Sequence, residues 1–217
     1  MIHNNSVKEK YLYIMNDLRN KTISAEILSK ERNQIMIEST SLQIRKILEL
    51  IAYLSVLANN EKLNHNNRKE YHAEKIINTL TEKTTIFYPF PSHIFPPSNN
   101  NEQPVLIPIG YQYALSQDDF KKVYSKCGKI LHAQHPLKSK VNIEEYVREN
   151  KITLNKLKEL LSRHTIGIRH DTNKYTFLHV EMDFTNNNNT KPSTIREYKT
   201  HIFDENQLKM IFSGDNI

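Results

Sequence analysis

The sequence predicts a mainly α protein: a helical bundle with a small C-terminal three-stranded antiparallel β meander. Two observations carry this prediction. Up to about residue 164, apolar residues recur at the three- and four-residue spacing of an α-helix. Beyond that point they alternate with polar residues, at the two-residue period of a β-strand. We therefore expect two units, a helical bundle over 1–164 and a β meander with a short terminal helix over 165–217.

The helical period predicts five segments, three of which begin with capping signatures. Segment 42–59 is apolar nearly all round beyond Ile47, so it belongs at the centre of the bundle, with Ser and Thr at 39–41 as its N-cap. Ser116 with Asp119, and Asn142 with Glu145, form the capping-box-like starts of the last two segments. The five segments are 7–38 (one or two helices), 42–59, 68–83, 117–134 and 143–164, the last with an expected break near 151–153, and a polar loop is expected over 59–67.

Prolines interrupt the helical pattern between residues 84 and 104. Five of them fall in this stretch, and each removes a backbone donor and fixes φ, so regular helix is excluded. The same stretch carries Phe87, Tyr88, Phe90 and Phe95, which need an apolar surface on which to dock. We expect an ordered surface excursion from the bundle, without regular structure of its own.

The C-terminal part of the chain reads as strands separated by polar connectors. The expected strands are 165–170, 175–184 and 194–203, joined by a turn at 171–174 and a polar connector at 186–189. Asp204 then caps a short final helix that extends through Phe212.

The composition limits the classes of function. Net charge is +6, which favours a polyanionic partner such as RNA, although a solvated lysine-rich surface explains the same excess. Only four glycines are present and no Gly-rich phosphate-binding motif occurs, which sets aside nucleotide-binding folds of the P-loop and Rossmann kinds. A single cysteine, Cys127, leaves no internal disulfide and suits a reducing compartment.

The sequence also predicts a cytoplasmic protein without a membrane segment. The first residues lack the apolar core and small-residue cleavage site of a signal peptide. The longest apolar run, 47–58, contains Glu49 and Ser55 and is too short to span a bilayer.

The segment FKKVYSKCGKILHAQHP, which begins at Phe120, is the most informative for chemistry. On a helical wheel its apolar residues share one broad face, and His132 lies roughly 140° from the centre of that face at 100° per residue. Small residues, Ser125 and Gly128, lie beneath His132, and Lys126 and Lys129 lie beside it. Glycine inside a helix costs about 0.5–1 kcal/mol relative to alanine, so a close contact with a second copy or with an RNA phosphate is expected to offset it.

These residues suit metal-independent cleavage of RNA. An imidazole can take or give a proton near neutral pH, and lysines can stabilise charge that develops on a phosphate. The 2′-hydroxyl of the RNA would be the nucleophile, so neither a protein nucleophile nor a metal is required. The alternative is a solvated histidine beside ordinary surface lysines, with Gly128 present only for helix packing.

A helical bundle with a basic residue followed by histidine on a late helix resembles the HEPN superfamily of helical RNases, toxins and defence proteins. The family's motif is Arg, four to six residues, then His; here Lys126 stands in the arginine's place, followed by five residues and then His132. That departure matters because lysine cannot make the bidentate phosphate contact of arginine. The central helix, SLQIRKILELIAYL, also looks like an early helix of such bundles, where a charged residue faces the active cleft. The patterns R-K-x-x-E, F-Y-P-x-P and C-G-x-x-L-H-x-x-x-P are similar to proteins of bacterial mobile elements.

Three further groups of residues have possible chemical roles. Arg45 and Glu49, four residues apart on the central helix, either share the cleft of His132 or form an ordinary intrahelical ion pair. His132 and His135 have the H-x-x-H spacing of zinc ligands, but Pro136 disrupts the helix and no third ligand is near in sequence. Cys127 falls on the core face, which favours a buried apolar role over a nucleophile.

The β unit offers basic side chains and aromatic rings. The aromatics Tyr175, Phe177 and Tyr198 either stack on bases or form the apolar side that closes onto the helices, and we favour the second interpretation. The expected RNA contacts are Lys122, Arg169, Lys174, Arg196 and Lys199.

The sequence therefore suggests an HEPN-like metal-independent ribonuclease or toxin-type effector in anti-phage or mobile-element conflict. His132, Lys126, Lys129, Arg45 and Glu49 are the expected catalytic residues, with no metal and no cofactor. The partners expected are RNA and either a second copy of the chain or another protein. The alternative is a non-catalytic helical module that binds a protein or RNA through the same face.

Overall fold

The protein was analysed as a computed structural model, which describes residues 2–84, 86–95, 97, 99, 104–132, 142–169, 175–185 and 193–199. Within these residues the fold is mixed α/β, with six α-helices and one five-stranded antiparallel sheet. The helices are α1 (Ile2–Leu28), α2 (Gln34–Ala58), α3 (His65–Arg68), α4 (Ala73–Lys83), α5 (Gln117–Leu131) and α6 (Ile143–Ser162), and a 3₁₀ turn spans Asn60–Lys62. The strands are β1 (Phe90–Phe95), β2 (Val105–Pro108), β3 (Arg163–Arg169), β4 (Tyr175–Met182) and β5 (Ser193–Lys199).

Helix α2 lies at the centre of the helical layer, as predicted, and contacts α1, α4, α5 and α6. None of its residues from 47 to 58 is exposed. Its predicted start was wrong: Asn33 is the N-cap and accepts a hydrogen bond from the backbone N–H of Met36. Thr40, expected to belong to the N-cap, lies inside the helix. Its hydroxyl donates to the backbone carbonyl of Met36, so the side chain is hydrogen-bonded without being at a helix terminus.

The predicted caps of α5 and α6 are confirmed. Ser116 accepts from the backbone N–H of Asp119, and Asn142 accepts from that of Glu145. Helix α6 runs unbroken through 151–153, because its buried stripe simply continues from Thr153 and Leu154 onward. Helix α5 ends at Leu131, three residues earlier than expected, and His132 already has an extended backbone at φ −85° and ψ 144°.

The connection between α2 and α4 is more structured than predicted. The expected loop 59–67 contains the 3₁₀ turn and most of α3, and α4 begins at Ala73 rather than at residue 68. Glu70 sets that start, because its carboxylate accepts from the backbone N–H groups of Tyr71 (3.0 Å) and His72 (2.8 Å). His72 is the N-cap residue of α4.

The main correction to the predicted fold is that the proline-rich excursion contributes β1, and the residues directly after it contribute β2, to the same sheet as the C-terminal meander. The strand order is β2-β1-β3-β4-β5, and β1 pairs with β3 at Phe90↔Thr165 and Pro91↔His164. Prolines hid these strands, since a proline breaks the alternating pattern yet is tolerated where its nitrogen faces away from a ladder. Phe87, Tyr88 and Phe90 are buried, as expected, whereas Phe95 is 54% exposed.

The meander itself matches the prediction to within a few residues at each strand end. Strands β3, β4 and β5 pair in order, with Thr165↔His179 and His179↔Arg196 as central pairs. The predicted turn at 171–174 and the predicted terminal helix from Asp204 through Phe212 lie outside the described residues. The division into two units at residue 164 stays a prediction, and the sheet takes strands from both sides of that point.

The sheet has two different faces. Ile166, Leu178 and Val180 point toward the helices and join the main core, which includes Leu48 and Leu160. The alternate residues form a smaller cluster on the opposite face, made of Ile86, Phe90, Tyr175 and Phe177. In the part of the chain that the structure describes, no helix is both long and apolar enough to cross a membrane.

Two histidines are buried in the sheet. The Nε2 atom of His164 lies 2.9 Å from the hydroxyl of Tyr11, and the Nδ1 atom of His179 lies 3.0 Å from the hydroxyl of Thr165. Burial disfavours the charged imidazolium, so the pKa of His164 falls to about 3 and that of His179 to about 4. Both rings are therefore neutral in the folded protein at pH 7.

These histidines predict acid sensitivity of the fold. Below about pH 6.5 the unfolded chain binds protons at both rings and the folded protein does not, so the free energy of unfolding falls as pH is lowered toward 4. Each histidine contributes about 1.4 kcal/mol per pH unit to this slope. Urea unfolding at pH 7, 6 and 5 measures the slope, and His179→Gln, which removes one titration, should reduce it. An equal slope in the two proteins would contradict the prediction.

Candidate functional site

Helix α5 places the predicted site residues largely where the helical wheel put them. Phe120, Tyr124, Cys127 and Ile130 are its buried residues. Ser125, Lys129 and His132 are exposed, and Gly128 is half-buried. His132 thus faces away from the core of its own chain, at the C-terminal end of the helix.

Arg45 reaches from α2 onto α5 and is held there by Tyr124. Its Nη2 donates to the Tyr124 hydroxyl at 2.9 Å, and its Cζ lies 4.1 Å from the centroid of the Tyr124 ring. Glu49 completes the group: its Oε1 lies 3.4 Å from Arg45 Nε and accepts from the Tyr124 hydroxyl at 3.4 Å. The Arg45 side chain is 26% exposed and that of Glu49 is 30% exposed. The pair is the intrahelical ion pair of the second interpretation and also contacts α5, whereas a cleft shared with His132 stays a prediction.

Gly128 is explained by this contact. A Cβ atom built at Gly128 would lie 2.8 Å from Arg45 Nη1, so the guanidinium occupies the space that any side chain would need. This close approach is made within the chain, which agrees with the alternative that Gly128 is present for helix packing. His132 comes four residues after Gly128, directly beyond the last residue of α5.

Lys126 faces a different neighbour. Its ammonium forms ion pairs with Glu149 and with Glu145, at 3.6 Å for the latter, and lies 4.7 Å from the centroid of the Tyr146 ring. These contacts direct Lys126 toward α6, whereas Arg45 lies between α2 and α5. The expected grouping of Lys126 with Arg45 and Glu49 does not form, because α6 supplies carboxylates that the sequence alone could not pair with it.

His72 is a site residue that sequence reasoning missed. Its ring meets that of Tyr124 edge to face, with centroids 5.5 Å apart and planes at 76°. The ring is half-buried, and its Nδ1 atom is buried without a hydrogen-bond partner among the described residues. The backbone amide of the next residue, Ala73, points at the Tyr124 hydroxyl. His72 and Tyr124 are far apart in sequence, so no local pattern could have paired them.

Tyr124 is therefore the centre of a cluster that we call the Tyr124 cluster: Arg45, Glu49, His72, Tyr124 and Gly128. Burial raises the pKa of Tyr124, with the carboxylate of Glu49 adding to the effect and Arg45 opposing it, so the phenol stays protonated. Its hydroxyl acts as a fixed hydrogen-bonding anchor for Arg45. The arrangement can hold an anion at the guanidinium and can transfer protons at imidazole.

Cys127 takes no part in such chemistry. The thiol is buried, and burial raises its pKa to about 12, so it remains protonated at neutral pH. The sequence interpretation of Cys127 as a small core residue is confirmed.

The β unit departs from the predicted RNA surface. Tyr175 and Phe177 are 4% and 5% exposed, so neither ring is available for stacking on a base. They are buried as we favoured, but against Ile86 and Phe90 on the sheet face opposite the helices. Arg196 and, on α5, Lys122 are exposed. Lys174 lies outside the described residues, as do the side chains of Arg169 and Lys199, so these predicted contacts stay predictions.

The zinc alternative cannot be completed from the described part of the chain. No group of three or more His, Cys, Asp or Glu side chains able to hold a metal occurs there, and His135 falls outside it.

Comparison of this chain with known proteins identified no relative. No family profile, curated protein or solved structure matches the chain. The resemblance to the HEPN superfamily therefore stays a hypothesis that stands on the residues of α2 and α5.

The contact between Arg45 and Gly128 predicts an energetic coupling. In an Arg45→Ala background, Gly128→Ala should raise the free energy of unfolding by about 0.5–1 kcal/mol, because alanine loses less backbone entropy in a helix. With Arg45 present the gain should vanish or reverse, because the guanidinium must leave Tyr124. Chemical unfolding of the four proteins measures the coupling.

Ser125→Ala is the matched control, since Ser125 is exposed on the same helix and should give the same change in both backgrounds. Equal effects of Gly128→Ala with and without Arg45 would show that the two residues are not coupled.

Proposed function

We propose that this chain is a metal-independent endoribonuclease or toxin-type effector of the HEPN kind, active against RNA in anti-phage or mobile-element conflict. The observation that carries the proposal is the guanidinium of Arg45, which Tyr124 holds against Gly128, four residues before the exposed His132. A fixed cation beside a proton-transfer group is what cleavage of RNA by its own 2′-hydroxyl requires from a protein.

In this proposal His132 takes the proton of the 2′-hydroxyl as that oxygen attacks the adjacent phosphorus. Arg45 binds the non-bridging oxygens and stabilises the charge that develops on them. Arg45 thus replaces Lys126 as the phosphate contact, and it offers the bidentate geometry that lysine lacks. Lys129, exposed on the same helix, adds long-range attraction for the RNA backbone. A second copy of the chain remains part of the proposal as a partner.

Supporting this assignment, the Arg45 guanidinium is oriented by Tyr124 and pairs with the carboxylate of Glu49, whereas the Lys126 ammonium pairs with two carboxylates, those of Glu149 and Glu145. The net charge of +6 is consistent with a polyanionic substrate.

Cleavage of a labelled single-stranded RNA in the presence of EDTA tests the proposal. His132→Ala should lower the rate by about 100-fold or more, the usual contribution of general acid–base catalysis. Arg45→Ala should cause a loss of similar size, with Arg45→Lys intermediate. His65→Ala is the matched control, because His65 is an exposed histidine on α3 and should leave the rate unchanged.

Lys126→Gln separates the two candidate phosphate contacts. The rate should stay within about twofold of wild type, since Lys126 is held on the α6 side; a loss as large as that of Arg45→Ala would overturn the assignment of Arg45. Unchanged cleavage by His132→Ala would end the nuclease proposal. Salt-dependent retention of RNA without any cleavage would instead favour the non-catalytic binding module.

A further inference from the structure

Cleavage of RNA by its own 2′-hydroxyl needs two proton transfers. One group removes the proton from the 2′-oxygen, and another donates a proton to the 5′-oxygen as the P–O5′ bond breaks. The proposed function names His132 for the first transfer. The described residues offer one further imidazole in the Tyr124 cluster, that of His72.

We infer that His72 is the general acid of this site, with His132 as the base and Arg45 as the phosphate contact. The inference rests on the proposed function and adds a catalytic residue to it. Arg45 and His72 both lie against the Tyr124 ring, at 4.1 Å from its centroid for Cζ and 5.5 Å for the imidazole centroid. Arg45 also lies over Gly128, four residues before His132. The guanidinium therefore shares the Tyr124 ring with His72 and contacts the part of α5 that leads to His132.

The position of His72 suits donation of a proton. The ring is half-buried, so part of it can be reached by a substrate. Glu70 fixes the backbone at this point by accepting from the N–H groups of Tyr71 and His72. Its carboxylate also provides a counter-charge next to the imidazolium that a general acid must form. The edge-to-face contact with Tyr124 sets the direction of the ring.

The step balances with these two residues and the RNA alone. His132 accepts the proton of the 2′-hydroxyl while the 2′-oxygen bonds to phosphorus. The P–O5′ bond breaks, and the 5′-oxygen takes the proton of the His72 imidazolium. The products are a 2′,3′-cyclic phosphate and a 5′-hydroxyl. His132 then releases its proton to solvent and His72 takes one up from solvent, which restores both residues for the next cycle.

A substrate whose leaving group needs no proton distinguishes an acid from a structural residue. Uridine 3′-(p-nitrophenyl phosphate) undergoes the same attack by the 2′-oxygen, but nitrophenolate departs unprotonated at pH 7. His72→Phe keeps an aromatic ring against Tyr124 and removes the proton. We expect it to slow cleavage of a dinucleotide such as uridylyl-adenosine by about 100-fold or more, with the nitrophenyl ester cleaved within about threefold of wild type.

His132→Ala is the reference variant and should slow both substrates, because the base is needed for either leaving group. His65→Ala should slow neither. The pH–rate profile of dinucleotide cleavage should be bell-shaped in wild type, and His72→Phe should remove its alkaline limb. His72→Gln, which retains a polar side chain, should behave as His72→Phe does if proton donation is the role.

Equal losses with both substrates in His72→Phe would mean that His72 only supports Tyr124, and no loss with either would mean that it is not part of the site. Both results overturn the inference and leave the proposed function standing, provided that His132→Ala is inactive. A wild-type protein that cleaves neither substrate overturns the inference and the proposed function together.

Discussion

Helix α2 imposes the constraint on which the rest of the structure depends. From residue 47 to 58 it has no exposed residue, so it must be surrounded, and α1, α4, α5 and α6 all contact it. A helix that is apolar on every side can be stable in water only inside other elements. The burial of residues such as Leu48, Ile51 and Leu54 thus organises the helical layer. The need to bury the apolar surface of α2 therefore determines which helices surround it.

The few charged groups of α2 must then lie where the packed helices leave an opening. Arg45 and Glu49 do so at the boundary with α5, and Tyr124 and Gly128 are the residues of α5 that receive them. A buried or half-buried charge needs hydrogen-bond partners, and Tyr124 supplies one to each member of the pair. The same packing brings the start of α4, with His72, against Tyr124. The Tyr124 cluster is therefore a consequence of how a polar patch is accommodated on an apolar helix.

The sequence located most helices because each has its own evidence in the chain. The caps at Ser116 and Asn142 work as expected, and the meander follows its alternating pattern. The failures share a physical cause. The start of α2 was misplaced because Thr40 bonds within the helix. Strand β1 was hidden because prolines mask a strand whose partner, β3, lies some seventy residues away in the chain, and β2 was hidden with it because it pairs with β1. Pairing between distant segments leaves no local signal.

Some features of the candidate site were likewise predictable from the sequence and others were not. The buried state of Cys127 follows from helical periodicity, which the sequence determines by itself, whereas His132 lies just past the end of α5 with an extended backbone. The reason for Gly128, the diversion of Lys126 to the carboxylates of α6, and the presence of His72 were decided only by tertiary structure. Each of these three depends on a side chain that arrives from another element. Periodicity sets which face of a helix a residue occupies, whereas packing alone sets what that face meets.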